Sequence, residues 1–153
     1  MTPNERADAA RAAFRSGANC SQAVTLAFAD VLEEAGVTPE LAERLSSPFG
    51  GGMGRLREVC GAVSGMLVVL GATEGYVRSE GDGAKARLYG HVQELAAAFR
   101  EEHGSIICRE LLGLGEGPSS PSPTPRSESF YTTRPCMELC ASAARILSEY
   151  LGR

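Results

Sequence analysis

A chain of 153 residues, 43% of them hydrophobic, is long enough to fold as one domain with its own core. The net charge is −4 and the basic residues are scattered, which argues against a nucleic-acid-binding surface. The N-terminus lacks an apolar core, and the longest uncharged run, between Glu58 and Glu74, is shorter than the ~20 residues that span a bilayer. We therefore expect a cytoplasmic protein with no nucleic-acid partner and no membrane insertion.

Two capping boxes predict where the first two helices begin. In each box a capping side chain is followed three residues later by Glu or Gln, which predicts helices over residues 3–16 and 20–35. The pairs are Thr2 with Glu5 and Asn19 with Gln22. A short third helix is expected to begin at Pro39 and to stop before Pro48, since proline suits a first turn and breaks a helix interior.

A glycine-rich loop, FGGGMGRLRE, follows the third helix and precedes the uncharged fourth helix. The fourth helix begins near Glu58 and is apolar on all sides, which is typical of a helix at the centre of a bundle. Gly61 and Gly65 lower its intrinsic helix propensity, and small residues at this spacing usually allow close backbone contact. We expect another helix to pack tightly against this turn.

The second half of the chain continues the helical pattern. Asp82 begins a long helix that ends at Gly104, a short helix follows as far as Gly113, and the last helix begins near Pro135. Residues 115–129 are rich in Pro and Ser and are expected to form an irregular surface segment. No segment alternates with period two. The predicted fold is all-α, a single domain over residues 1–153 with about six or seven helices and a buried central helix.

Four of the five cysteines fall in the first turn of a predicted helix, where free N–H groups and a partial positive charge favour the thiolate. In a reducing compartment such cysteines are metal ligands or working thiols more often than structural disulfides. Their wide spacing excludes zinc knuckles and compact ferredoxin runs, so the fold itself must bring them together, and we expect unusually acidic thiols. The four are Cys20, Cys60, Cys108 and Cys136.

Other residues near these cysteines have two interpretations each. Cys140 lies one helical turn after Cys136, and a packed core cysteine is favoured there over an alternate ligand or a resolving thiol. Gly51 and Gly52 are expected to bring the backbone close to the site and to donate N–H groups to sulfur or to a bound anion. Three arginines near the cysteines either offset thiolate charge or lie in solvent: Arg57, Arg109 and Arg134.

Taken together, these features resemble the C_GCAxxG_C_C family of redox-active proteins, which has four spaced cysteines, the second followed by Gly-Ala-x-x-Gly. The matching stretches are NCSQA from Asn19, FGGGMG from Phe49, CGAVSG from Cys60, CRELLG from Cys108, and Cys136 before an Ala-rich helix. The resemblance implies an all-helical domain with a role in electron or thiol chemistry. Cys140 lies outside the four-cysteine pattern.

Three functions remain open from the residues. The favoured one is a redox protein in which Cys20, Cys60, Cys108 and Cys136 ligate an iron–sulfur cluster or another thiolate-bound metal for electron transfer. The second is a metal-free thiol/disulfide redox protein, and the third is a structural or interaction bundle with inert cysteines. The sequence leaves open whether the chain is an enzyme, which redox partner protein it meets and whether it forms a homo-oligomer.

Overall fold

The structure, a computed structural model, describes all 153 residues and contains nine regular α-helices and no β-strand, which confirms the all-α class. None of the helices combines the length and apolar character needed to cross a bilayer. The helices are Pro3–Arg15 (α1), Cys20–Leu26 (α2), Ala29–Glu34 (α3), Pro39–Ser46 (α4), Gly61–Glu74 (α5), Gly81–His103 (α6), Cys108–Leu112 (α7), Glu128–Thr133 (α8) and Cys136–Leu151 (α9).

The structure differs from the sequence prediction at two places. The helix predicted over residues 20–35 breaks at Phe28, whose φ of −118° and ψ of 28° are not helical, and it becomes α2 and α3. Helix α8 begins at Glu128 within the Pro- and Ser-rich segment, because the Ser127 side chain accepts the N–H of Phe130 and caps it. The irregular stretch therefore ends at Ser127 and not at residue 129.

Both predicted capping boxes are present. The Asn19 side chain accepts the N–H of Gln22 at 2.9 Å, and the Gln22 side chain accepts the N–H of Asn19 at 3.0 Å. The Asn19 side chain also donates to the backbone oxygen of Ser47 at 3.0 Å. The start of α2, and with it Cys20, is thereby tied to the turn that leads into the glycine-rich loop.

Helix α5 packs against α2, α6 and α9. Its seven buried residues all lie within its first ten positions, whereas Gly71, Thr73 and Glu74 in its last turn are exposed. Most of the buried hydrophobic residues form one cluster of 24 residues, to which α1, α2, α5 and α9 all contribute. The sequence predicted that the whole helix is buried, but its last turn is exposed. Its location at the centre of the bundle therefore stays a prediction.

The close contact predicted from the α5 glycines is present. A Cβ atom at Gly65 would lie 2.7 Å from the Ser21 backbone oxygen and 2.9 Å from the Val24 Cβ atom. A Cβ atom at Gly61 would lie 2.9 Å from the Phe49 backbone oxygen and 3.0 Å from the Cys20 sulfur. These glycines let α2 and the backbone before the glycine-rich loop approach α5 closely.

Gly65→Ala is therefore expected to lower the free energy of unfolding by about 1–3 kcal/mol, since overpacking a backbone contact forces the helices apart. Leucine at Gly61 or Gly65 is expected to cost more. The matched control is Gly71→Ala in the same helix, where a Cβ atom meets nothing within 4 Å; alanine there is expected to stabilise by up to about 1 kcal/mol. Denaturant unfolding measures both variants, and equal effects would contradict the packing role.

Candidate cysteine site

The four cysteines singled out by the sequence line one small cavity of about 30 Å³, which is room for about two water molecules. Cys20, Cys108 and Cys136 are the first residues of α2, α7 and α9, and Cys60 immediately precedes α5. All five cysteines of the chain are free thiols. Four helix starts from distant parts of the sequence thus bring four sulfurs to one place.

A short backbone bridge holds two of these cysteines side by side. Val59 and Ile107 form an isolated antiparallel β-bridge. The Cys60 N–H donates to the Ile106 oxygen at 2.7 Å, and the Cys108 N–H donates to the Glu58 oxygen at 2.6 Å. Sequence analysis missed this bridge, because a pairing this short leaves no alternating pattern.

The glycine-rich loop passes directly beneath the sulfurs. Gly51 and Gly52 have left-handed φ values of 68° and 70°, and the Gly51 N–H acts to lower the pKa of the Cys20 thiol. A Cβ atom at Gly52 would lie 2.6 Å from the Cys108 Cβ atom. Gly51 therefore lies where its N–H acts on the Cys20 thiol, while Gly52 supplies the space that Cys108 occupies.

Cys140 lies beside the site without lining the cavity. It is fully buried in the hydrophobic core, and its thiol donates to the Cys20 backbone oxygen at 3.5 Å. Because its proton is used in this contact and the residue lies outside the cavity, the structure favours the packed core cysteine over an alternate ligand or a resolving thiol.

The expectation of unusually acidic thiols was wrong, because the pKa values of three of these cysteines are raised and not lowered. Burial raises the pKa of the Cys20 and Cys60 thiols, and it raises the pKa of Cys136 to about 12. The Gly51 N–H opposes this shift in the pKa of Cys20, and the N–H groups of Ala62 and Val63 oppose it for Cys60, but burial is the larger effect in both. Without a bound cation these groups are therefore neutral thiols at neutral pH.

In the folded, metal-free protein, Cys136 is expected to react with iodoacetamide at pH 8 at least about a hundredfold more slowly than a free cysteine, because only the thiolate attacks. Its rate should keep rising about tenfold per pH unit to about pH 10. Peptide mass spectrometry against time and pH measures the rate, with the urea-unfolded chain as the control. A rate that levels off below pH 9 in the folded protein would contradict the raised pKa.

The arginines suggested by the sequence do not all reach the site. Arg57 is 4% exposed, and its Nη1 lies 3.6 Å from the Cys108 sulfur, to which it donates. Arg134 lines the outer side of the site, whereas Arg109 turns away and pairs with Glu58 at 3.0 Å. The structure adds Arg55 and Arg126, which sequence analysis missed.

Arg55 and Arg126 approach the site from two separate segments. Arg55 belongs to the glycine-rich loop, and burial together with the charges of Arg57 and Arg134 lowers the pKa of its guanidinium. Arg126 belongs to the Pro- and Ser-rich segment. No local pattern marks it, because its position depends on how that segment folds back over α1.

The four thiols do not form a ready site for a single metal ion. No three Cys, His, Asp or Glu side chains lie close enough to hold a single metal ion. A tetrahedral zinc site needs four sulfurs about 2.3 Å from the metal, and hence about 3.8 Å from one another. An iron–sulfur cluster instead binds each cysteine to one of several irons. The four free thiols supply the soft donors that an iron–sulfur cluster uses, and they do not form a ready single-ion site.

Helix starts that bring four thiols and a glycine-rich loop around one cavity define an all-α protein with a cysteine-based site. Residues 18–150 match a family model described as "Putative redox-active protein (C_GCAxxG_C_C)", and the chain belongs to this family. Neither a curated protein nor a solved structure shows a significant match to the chain. The family description assigns redox activity and names neither a reaction nor a cofactor.

Proposed function

We propose that this protein is an electron-transfer protein in which Cys20, Cys60, Cys108 and Cys136 ligate an iron–sulfur cluster. The single observation that carries the proposal is that four free thiols from four helix starts line one cavity. When bound, such a cluster supplies one-electron redox chemistry. The family's redox assignment is consistent with this role.

Burial favours a cluster over thiol/disulfide exchange. Cys60 and Cys108 are only 5% and 6% exposed, whereas Cys20 and Cys136 are partly exposed. Exchange with an external disulfide requires access only to the attacking thiol, so the two partly exposed cysteines would serve it and the two buried ones could not attack. Ligation needs no such access once the fold has formed, and binding a soft metal compensates the charge of buried thiolates.

The chain's own residues set the environment of the sulfurs. Arg57 donates to the Cys108 sulfur at 3.6 Å, and the Gly51 N–H acts to lower the pKa of the Cys20 thiol. Hydrogen bonds and positive charge at the sulfurs stabilise the more negative, reduced state and so raise the reduction potential. The partly exposed Cys20 and Cys136 mark the open side of the site, on which a redox partner protein would approach.

The proposal is tested by reducing anaerobically purified protein with dithionite while recording visible absorbance and electron paramagnetic resonance. The expected result is a visible band that bleaches on reduction and returns on reoxidation. A colourless protein whose thiol count falls on mild oxidation, and recovers with a reductant, would support the thiol/disulfide alternative instead. A colourless protein whose thiols react only after unfolding would support the structural bundle.

A further inference from the structure

A second pocket of about 150 Å³ lies on the open side of the cysteine cavity and shares Cys20, Cys136, Gly51 and Arg57 with it. We call it the arginine vestibule. Its basic residues are Arg55, Arg57, Arg126 and Arg134, and no Asp or Glu lines it. Positive charge is thus concentrated in front of two partly exposed cysteines, in a chain whose net charge is −4.

The vestibule arginines have no carboxylate partners. Six other arginines of the chain form ion pairs with Asp or Glu, and none of them lines the vestibule: Arg6, Arg11, Arg44, Arg109, Arg145 and Arg153. Like charges held together without counter-ions repel one another, and a bound anion relieves that repulsion. A bound anion would therefore supply the negative charge that the protein itself does not place here.

Contacts with the Pro- and Ser-rich segment hold the two arginines of the loop. The buried Arg57 donates from Nε to the Ser119 hydroxyl at 2.9 Å and from Nη1 to the Cys108 sulfur, and its Nη2 has no acceptor in the protein. Arg55 donates to the Ser120 oxygen at 2.6 Å and to the Thr124 hydroxyl at 3.1 Å. These contacts order the cations before any ligand arrives.

The other two arginines are placed by aromatic rings. Arg126 donates to the backbone oxygens of Phe14 at 2.8 Å and Ala18 at 3.0 Å, and its guanidinium lies 4.2 Å from the ring centroid of Phe14 and 5.0 Å from that of Phe130. The Arg134 guanidinium lies 5.8 Å from the Phe130 ring centroid, and the side chain makes no hydrogen bond to the protein. Every side-chain donor of Arg134 is therefore available to a ligand.

We propose that the arginine vestibule binds a small oxyanion and holds it beside Cys20 and Cys136. A cavity of this volume accommodates a molecule of about the size of benzene, which matches phosphate, sulfate or a small carboxylate. Guanidinium groups bind such oxyanions through charge-assisted, often bidentate hydrogen bonds. This inference goes beyond electron transfer, because it gives the protein a ligand, and it does not depend on which cofactor the cysteines hold.

Neutralisation of the thiolates does not account for all four arginines. Arg57 contacts a sulfur, but Arg55, Arg126 and Arg134 make no hydrogen bond to sulfur. What these three arginines share is that they line the vestibule. Guanidinium groups would bind a free oxyanion and the anionic end of a larger molecule in the same way. The binding experiment distinguishes these two kinds of ligand.

The test is calorimetric titration of the anaerobically purified protein with inorganic phosphate, sulfate, acetate and phenyl phosphate at constant ionic strength. We expect saturable binding of one free oxyanion per chain. Arg134→Gln is expected to weaken it about tenfold, because charge-assisted hydrogen bonds are lost. Arg134 was chosen because its replacement breaks no hydrogen bond within the protein. Phenyl phosphate binding more tightly than phosphate would identify a larger anionic ligand and overturn the small-oxyanion assignment.

The matched control is Arg100→Gln, which removes the same charge from an exposed position in α6 far from the vestibule in sequence. We expect it to change affinity by less than about twofold, as for a distant, solvent-screened charge. Equal weakening by both variants, or no saturable binding of any anion tested, would overturn the proposal. Iron content is measured in the same samples, so a failure of anion binding is distinguishable from a failure of the cluster proposal.

Discussion

Replacing Cys60 with serine is expected to abolish iron binding, whereas replacing Cys140 with serine is expected to leave the iron content unchanged. Cys60 lines the cavity and Cys140 does not, although both are buried and lie in the same hydrophobic cluster. A serine at position 140 keeps a hydroxyl that donates to the Cys20 oxygen as the thiol does. A serine at position 60 is a poor ligand for a soft metal.

The two variants form a matched pair, since each replaces one buried sulfur by oxygen. Iron and acid-labile sulfide per chain are measured after anaerobic purification, and circular dichroism shows whether each variant is folded. Full iron content in Cys60→Ser, or equal loss in two folded variants, would contradict the assignment of the ligands.

Gly52→Ala is expected to destabilise the fold by about 3 kcal/mol or more, because two effects add. The residue has a φ of 70°, where an L side chain costs about 1–2 kcal/mol. Its Cβ atom would also lie 2.6 Å from the Cys108 Cβ atom and 2.8 Å from the Arg57 Cα atom, and such overpacking costs about 1–3 kcal/mol.

Gly54→Ala isolates the first of these effects. Gly54 is also left-handed, with a φ of 59°, but the nearest atom to its Cβ position is the Pro48 oxygen at 3.7 Å. We expect a loss of about 1–2 kcal/mol from backbone strain alone. Denaturant unfolding compares the two variants. Equal losses would show that Gly52 has no packing role beside Cys108.

The parts of the fold that the sequence predicted correctly are those encoded locally. The capping boxes at Thr2 and Asn19 are formed by side chains three residues apart, so their signal is complete within one turn. The same signals located the start of α2 at Cys20. The meeting of the four cysteines was a hypothesis from their positions at four predicted helix starts, and the structure places them around one cavity.

The features that the sequence did not predict depend on tertiary contacts. The direction of the thiol pKa shifts follows from burial, which outweighs the donors at the helix starts. Arg126 reaches the site only because the irregular segment folds back to the end of α1. The break at Phe28 falls within a continuous apolar stripe, and Phe28 itself is fully buried, so packing overrides the local helical pattern.

The central claim is that the four cysteines hold an iron–sulfur cluster, and the most direct measurement is the iron and acid-labile sulfide content of the anaerobically purified wild-type chain. We expect stoichiometric iron with an equal amount of sulfide, since the common cysteine-ligated clusters contain the two in equal numbers. A purified chain with neither iron nor sulfide after anaerobic reconstitution with both, and with all of its thiols free to react once unfolded, would contradict the account.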